Sequence, residues 1–270
     1  MRVNDNGHGL AMSAASSFSS PTGYLHELWS GMSAIQRLKK LDESLDDPGE
    51  LTLLSQRFQS IQYQLLKGPR QLLVVGEKDD FGPMEHSLAR LWSDPNADAF
   101  DPLHPRFVQA RRNLGWEIVT TVNFCARVNR CVPFSHPDAP ALSVLGQYLK
   151  NGFLHRAIRE RGGAYGGGAG YDSDTASFRF YSYRDPRLAE TIQDFQHSLE
   201  WLHSDQHPPR ALEEAILGVI GAIDRPASPA GEARRAFHDA LHGRTAEKRT
   251  LYREQVLNVT LESMRRVSHL

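Results

Sequence analysis

The chain has 270 residues, 40% of them hydrophobic and 23% charged, with a formal net charge of -1. This apolar share supports a packed core and excludes global disorder. The near-neutral charge gives no electrostatic case for a nucleic-acid or membrane-surface partner, and two cysteines, Cys125 and Cys131, are too few for a disulfide-stapled scaffold. Those cysteines also lack a zinc-site spacing and read as reduced thiols.

In chain order, residues 1–20 are small and polar and read as partly irregular. Asp5, Asn6 and Gly7 stand where a signal peptide would be apolar, and no apolar run approaches the ~18 residues of a membrane span. A soluble, cytoplasmic setting is the expectation. Pro21 to Leu41 reads as one helix, with Leu25, Leu28, Trp29, Met32, Ile35 and Leu38 at helical spacing. After the Pro48-Gly49 break, Leu51, Leu54, Phe58, Ile61 and Leu65 share a second helical face, which Gly68-Pro69 stops. The two resemble an antiparallel helical hairpin, which cannot bury two apolar faces alone.

The texture changes at Gln71. Leu72 to Val75, ending at Gly76, reads as a buried strand, Phe81 to Trp92 as a helix, and the proline-rich Asp94 to Pro105 as a loop. Trp116 to Val128, rich in β-branched and aromatic residues, reads as a long strand. His136-Pro137-Asp138 opens a helix whose face is Leu142, Leu145, Leu149, Phe153 and Ile158; it ends at Arg159-Glu160-Arg161, stopped by Gly162 and Gly163. Tyr171 and Ser177 to Tyr183 read as strands of a hairpin, and helices follow from Leu188 to Leu270. Clustered strands followed by helices predict an α+β fold: a largely antiparallel sheet with helices packed on one face, preceded by a helical hairpin. The expected division is a helical linker over residues 1–68 and an α+β domain over 69–270.

The chemistry-bearing patterns mostly fail. His26-Glu27 lacks the second histidine of H-E-x-x-H because position 30 is Ser30, and Glu85-His86 lacks the first histidine of H-x-x-E-H because position 82 is Gly82. The glycine run from Gly162 to Gly170 supplies G-x-G-x-x-G in no register and lies after a helix rather than before one. What the run does offer is close approach of another backbone, with exposed N–H and C=O groups for an extended peptide. Arg159 and Tyr165 would stand at its mouth, a guanidinium for peptide carbonyls and a phenol for an oxygen gaining charge. From these residues alone, a plain packed turn with Tyr165 wedged in it is an equal reading.

The stretch from Leu154 to Gly166, L-H-R-A-I-R-E-R-G-G-A-Y-G, resembles the C-terminal signature R-E-K-G-G-A-Y-G of the presequence-protease branch of the insulinase/pitrilysin zinc peptidases. Arg161 replaces its lysine. Gln147-Tyr148-Leu149, Tyr171 and Ser177 to Pro186 also fit the branch, and Leu28 to Met32 with Leu38-Lys39 is similar to the linker before its last domain. The resemblance implies four related α+β domains in two halves that close around unfolded peptides, with zinc and its H-x-x-E-H helix in the first. The last domain would contribute Arg159 and Tyr165, in a loop with Gly162, Gly163 and Gly166, to orient peptide and support the oxyanion. It implies zinc in the complete enzyme, bound by an N-terminal half that is this chain's partner, no metal site here, and no activity in isolation. The family's last domain continues past a helix like Leu261 to Leu270, so a truncated chain is expected. The alternatives are a non-catalytic interaction or scaffold subunit of the same fold and, further off, a small-molecule binder.

Overall fold

A computed structural model describes residues 5–68, 71–92, 103–205 and 207–269. The chain divides into two compact units, one built from Met1–Arg37, Pro105–Arg225 and Glu247–Leu270, the other from Leu38–His104 and Pro226–Ala246.

The first unit begins with helix α1 (Gly7–Ser16), where composition suggested irregular chain, and α2 (Pro21–Ser30), capped by the Ser20 hydroxyl on the Gly23 N–H with proline in its first turn. The single helix expected over Pro21 to Leu41 is broken at Gly31, and α3 (Met32–Ser44) starts afresh. Glu27 causes the break. Its carboxylate is buried, accepts from the Ser33 N–H at 2.9 Å and from the Ser13 hydroxyl at 2.7 Å, and so caps α3 while pinning α1. A Cβ on Gly31 would lie 1.8 Å from that carboxylate. Glu27→Ala is therefore expected to destabilise the chain by about 2 kcal/mol, the sum of a lost cap and a lost charged hydrogen bond. The urea midpoint measures this; an unshifted midpoint would contradict the capping role.

The sheet has three antiparallel strands in the order β1 (Ala126–Arg130), β3 (Ser177–Tyr183), β2 (Gly166–Asp172). In register, Phe180 faces Arg127 on one side and Ala169 on the other. Asp172 closes the β2–β3 turn by accepting from the N–H groups of Asp174 and Thr175, and it pairs with Arg179. The long strand expected over Trp116 to Val128 is mostly unpaired: Asn123 bridges Asp185, and the named strand begins at Ala126.

Alternation along β3 turns Phe178, Phe180 and Ser182 into the core. Against that face pack α6 (Ala139–Leu149), the wide π-helical segment Lys150–Arg161 that continues it, and α7 (Ala189–Leu202), with Leu142, Leu145, Leu149, Leu154, Ile158, Phe195 and Leu202 all fully buried. α6 approaches β2 so closely that a Cβ on Gly146 would lie 2.8 Å from the Gly170 Cα. α8 (Ala211–Ile223) adds Ala215, Val219 and Ile220 to this core. On the opposite side of β3, His8 of α1 meets Tyr183 edge-on at 4.8 Å and Tyr181 at 6.1 Å. Burial lowers its pKa, so it sits there as a neutral ring near pH 7.

The second unit holds α4 (Pro48–Lys67), α5 (Phe81–Trp92) and α9 (Pro229–Leu241). Of the expected apolar face of α4, Leu51, Phe58, Ile61 and Leu65 are exposed and Leu54 is half-buried. The buried strand expected over Leu72 to Val75 does not form, since Leu72 and Val75 are exposed and no described residue of this unit lies in a strand that could pair with it. Part of the proline-rich loop, residues 94–102, lies outside the described residues. α10 (Ala246–Leu257) and α11 (Leu261–Val267) end the chain, burying Val256, Met264 and Val267 in the first unit's core. Both cysteines are free. Burial raises both thiol pKa values, that of Cys131 to about 11. The α+β class expected from the order of elements is the class observed.

Candidate substrate-holding site

Arg159 lies in the last turn of the π-helical segment, where a cation complements the helix C-terminus. The chain reverses at once. Gly163 sits at φ +77°, a left-handed conformation that glycine adopts without a Cβ penalty. Its N–H donates to the Arg159 carbonyl at 3.1 Å, and the Ala164 N–H donates to the Ile158 carbonyl at 3.1 Å. These two bonds satisfy carbonyls that a helix end leaves open. Ala164 is buried, and the next residue, Tyr165, turns outward.

The Tyr165 N–H donates to the carbonyls of Tyr183, at 3.1 Å, and Arg184, at 3.3 Å, so its backbone is tied to the end of β3. Its ring is 65% exposed and packs edge-on to Tyr183 at 5.2 Å. The Arg184 guanidinium lies 6.0 Å from the Tyr165 ring and 5.3 Å from the Tyr183 ring, near the outer limit of cation–π attraction. Neither the Arg159 guanidinium nor the Tyr165 hydroxyl bonds to a described residue, and both are exposed. The two groups are thus mounted on fixed backbone with their polar heads directed away from the protein's own partners.

Of the glycines singled out from sequence, Gly162 caps the helix, Gly163 makes the reversal, and Gly166 opens β2 with nothing within 4 Å of where a Cβ would be. The run is therefore a turn followed by an edge strand. Among the described residues, no three His, Cys, Asp or Glu side chains come together as metal ligands. Sequence reasoning quoted Tyr183 and Arg184 but gave them no task. It had no signal at all for His8, which reaches Tyr183 from a segment read as irregular.

Residues 117–270 match the family model described as the PreP C-terminal domain, and residues 1–41 match a second model, described as a peptidase-associated region. The chain belongs to the presequence-protease family. It is similar to the mitochondrial presequence proteases of Xenopus laevis (30% identical over 99% of this chain), Mus musculus (29%, 99%) and Yarrowia lipolytica (29%, 97%). The chain spans only 28%, 28% and 26% of those relatives' lengths. The cytoplasmic expectation is corrected by these names, each of which carries the word mitochondrial. That expectation rested on the lack of a leader after Met1, and in a chain matching about a quarter of its relatives the first residue is uninformative about a leader. Among the described residues, no helix is long and apolar enough to cross a membrane.

Proposed function

We propose that this chain is the substrate-holding, C-terminal part of a zinc metallopeptidase that degrades short unstructured peptides. Arg159 orients the peptide through its carbonyls, and Tyr165 donates to the carbonyl oxygen that gains charge during cleavage. Gly162, Gly163 and Gly166 shape the turn between them. Residues 69–270 act as the holding domain and residues 1–68 as the linker leading into it. Zinc belongs to the remainder of the enzyme, which together with unfolded peptide is the chain's partner.

The observation that carries this reading is the pairing of two exposed, unengaged polar heads on over-determined backbone. Main-chain hydrogen bonds from the N–H groups of Gly162, Gly163, Ala164 and Tyr165 fix the stretch from Arg159 to Tyr165. Edge strand β2 starts at the next residue, Gly166. A flexible turn would need none of this bracing, and an extended peptide can add to a strand edge.

The complete polypeptide is expected to cleave a short unstructured peptide, and the isolated 270-residue chain is not. In the complete enzyme, Arg159→Met should raise KM about 10- to 100-fold, the scale of one charge-assisted hydrogen bond to substrate. Cleavage kinetics indistinguishable from the parent would remove Arg159 from the site.

A further inference from the structure

The holding pair straddles two elements. Arg159 rides on the π-helical segment, and Tyr165 is tied to the end of β3 through Tyr183 and Arg184. The braced turn between them fixes the backbone path, but their spacing also depends on the joint between those elements, and a side chain spans it. Arg187 lies just past β3, on the same stretch that receives the Tyr165 N–H. Its own N–H donates to Asp185 Oδ1 at 2.9 Å, and Asp185, fully buried, is bonded in turn by the Thr191 hydroxyl at 2.7 Å. From this anchored backbone the guanidinium turns back toward the helix. Nη2 donates to the Ala157 carbonyl at 3.3 Å, two residues before Arg159, and to Asp194 Oδ2 on α7 at 3.0 Å.

Two further details argue that the reach toward the helix end is the point of this residue. Its Nε is buried without a hydrogen bond, 3.9 Å from Asp185 Oδ1, so the guanidinium faces that carboxylate as a charge but directs its hydrogen bonds to Ala157 and Asp194. Gly162 has φ -81°, a value open to any residue, yet a Cβ there would lie 2.0 Å from Arg187 Nη2 and 2.5 Å from the Ile158 carbonyl oxygen. The first glycine of the pair therefore leaves room for both the guanidinium and the helix's own carbonyl, while the second makes the turn.

We propose that Arg187 is a positioning residue that sets the separation of Arg159 and Tyr165; this rests on the substrate-holding reading of that pair. It touches neither substrate nor reacting atoms. It acts by locking the last turn of the helix to the β3–α7 connection, with Asp194 holding its other side.

The test uses the complete enzyme. Arg187→Met should lower kcat/KM about 10- to 100-fold, the scale of a small misplacement of a holding group. Arg187→Lys, which keeps the cation but cannot serve Ala157 and Asp194 in one fork, should fall between the two. The deciding readout is coupling. In an Arg187→Met or Arg187→Lys background, adding Arg159→Met should cost far less than it does alone, because the misplaced arginine is already ineffective. A core variant chosen for equal loss of thermal stability, Val219→Ala, should leave the cost of Arg159→Met undiminished. Parent-like kinetics in both Arg187 variants, or effects of Arg187 and Arg159 that multiply in full, would overturn the positioning role while leaving the holding pair intact. If Arg159→Met and Tyr165→Phe are themselves silent, the substrate-holding reading fails and the positioning role falls with it.

Discussion

Tyr165→Phe in the complete enzyme is expected to lower kcat about 10- to 1,000-fold with little change in KM, the range for one lost oxyanion donor. The substitution is clean. The ring keeps its edge-on contact with Tyr183, and the backbone bonds to Tyr183 and Arg184 do not involve the side chain. The hydroxyl bonds to no described residue, so removing it orphans no partner and the melting temperature should hold. A loss of rate in a protein of unchanged stability would assign the hydroxyl to the transition state. An unchanged kcat would leave Tyr165 as a surface aromatic and sink the role proposed for it.

Phe180→Ala should have the largest effect on folding, about 3–5 kcal/mol. Phe180 sits on the central strand, 1% exposed, stacked on Phe195 of α7 at 5.4 Å and edge-on to Phe178 at 5.2 Å. Truncation leaves a cavity between sheet and helix that cannot collapse, because β3 is held by a strand on each side. Equilibrium unfolding in urea measures it. A loss under about 1 kcal/mol would mean that the sheet–helix interface repacks freely.

The helices were the most legible part of the chain. Leu188, Ile192, Phe195, Leu199 and Leu202 predict α7 within a residue, since the core that selects those positions also imposes their spacing. Strands were less legible because pairing needs a partner that composition does not reveal. Trp116 to Val122 has strand chemistry, but β3 runs only from Ser177 to Tyr183, and its neighbour is paired only where that partner exists. Val119 is 98% exposed despite its β propensity. The opposite error concerns the glycine run: Gly166 to Gly170 has poor strand propensity, yet pairing with Arg179 to Tyr183 and the close approach of α6 make it β2.

Within the candidate site, Arg159 and the Gly162-Gly163 stop were visible because helix ends carry local signals. Tyr165 was visible as the one large side chain in a run of small ones. Arg187 was not, since its partners are a backbone carbonyl 30 residues upstream and a carboxylate on the following helix. No periodicity marks a side chain whose task is to bridge two elements.

The two thiols flank β1, one on either side, with the Cys125 carbonyl and the Cys131 N–H both bonded to the β3 side of the ladder. Six residues of extended chain hold them about 20 Å apart, several times the span of a disulfide. With the Cys131 pKa at about 11, its thiolate is a fraction on the order of one in ten thousand at neutral pH. The sheet therefore keeps its two sulfurs apart: a disulfide between them cannot close while β1 stays in the ladder.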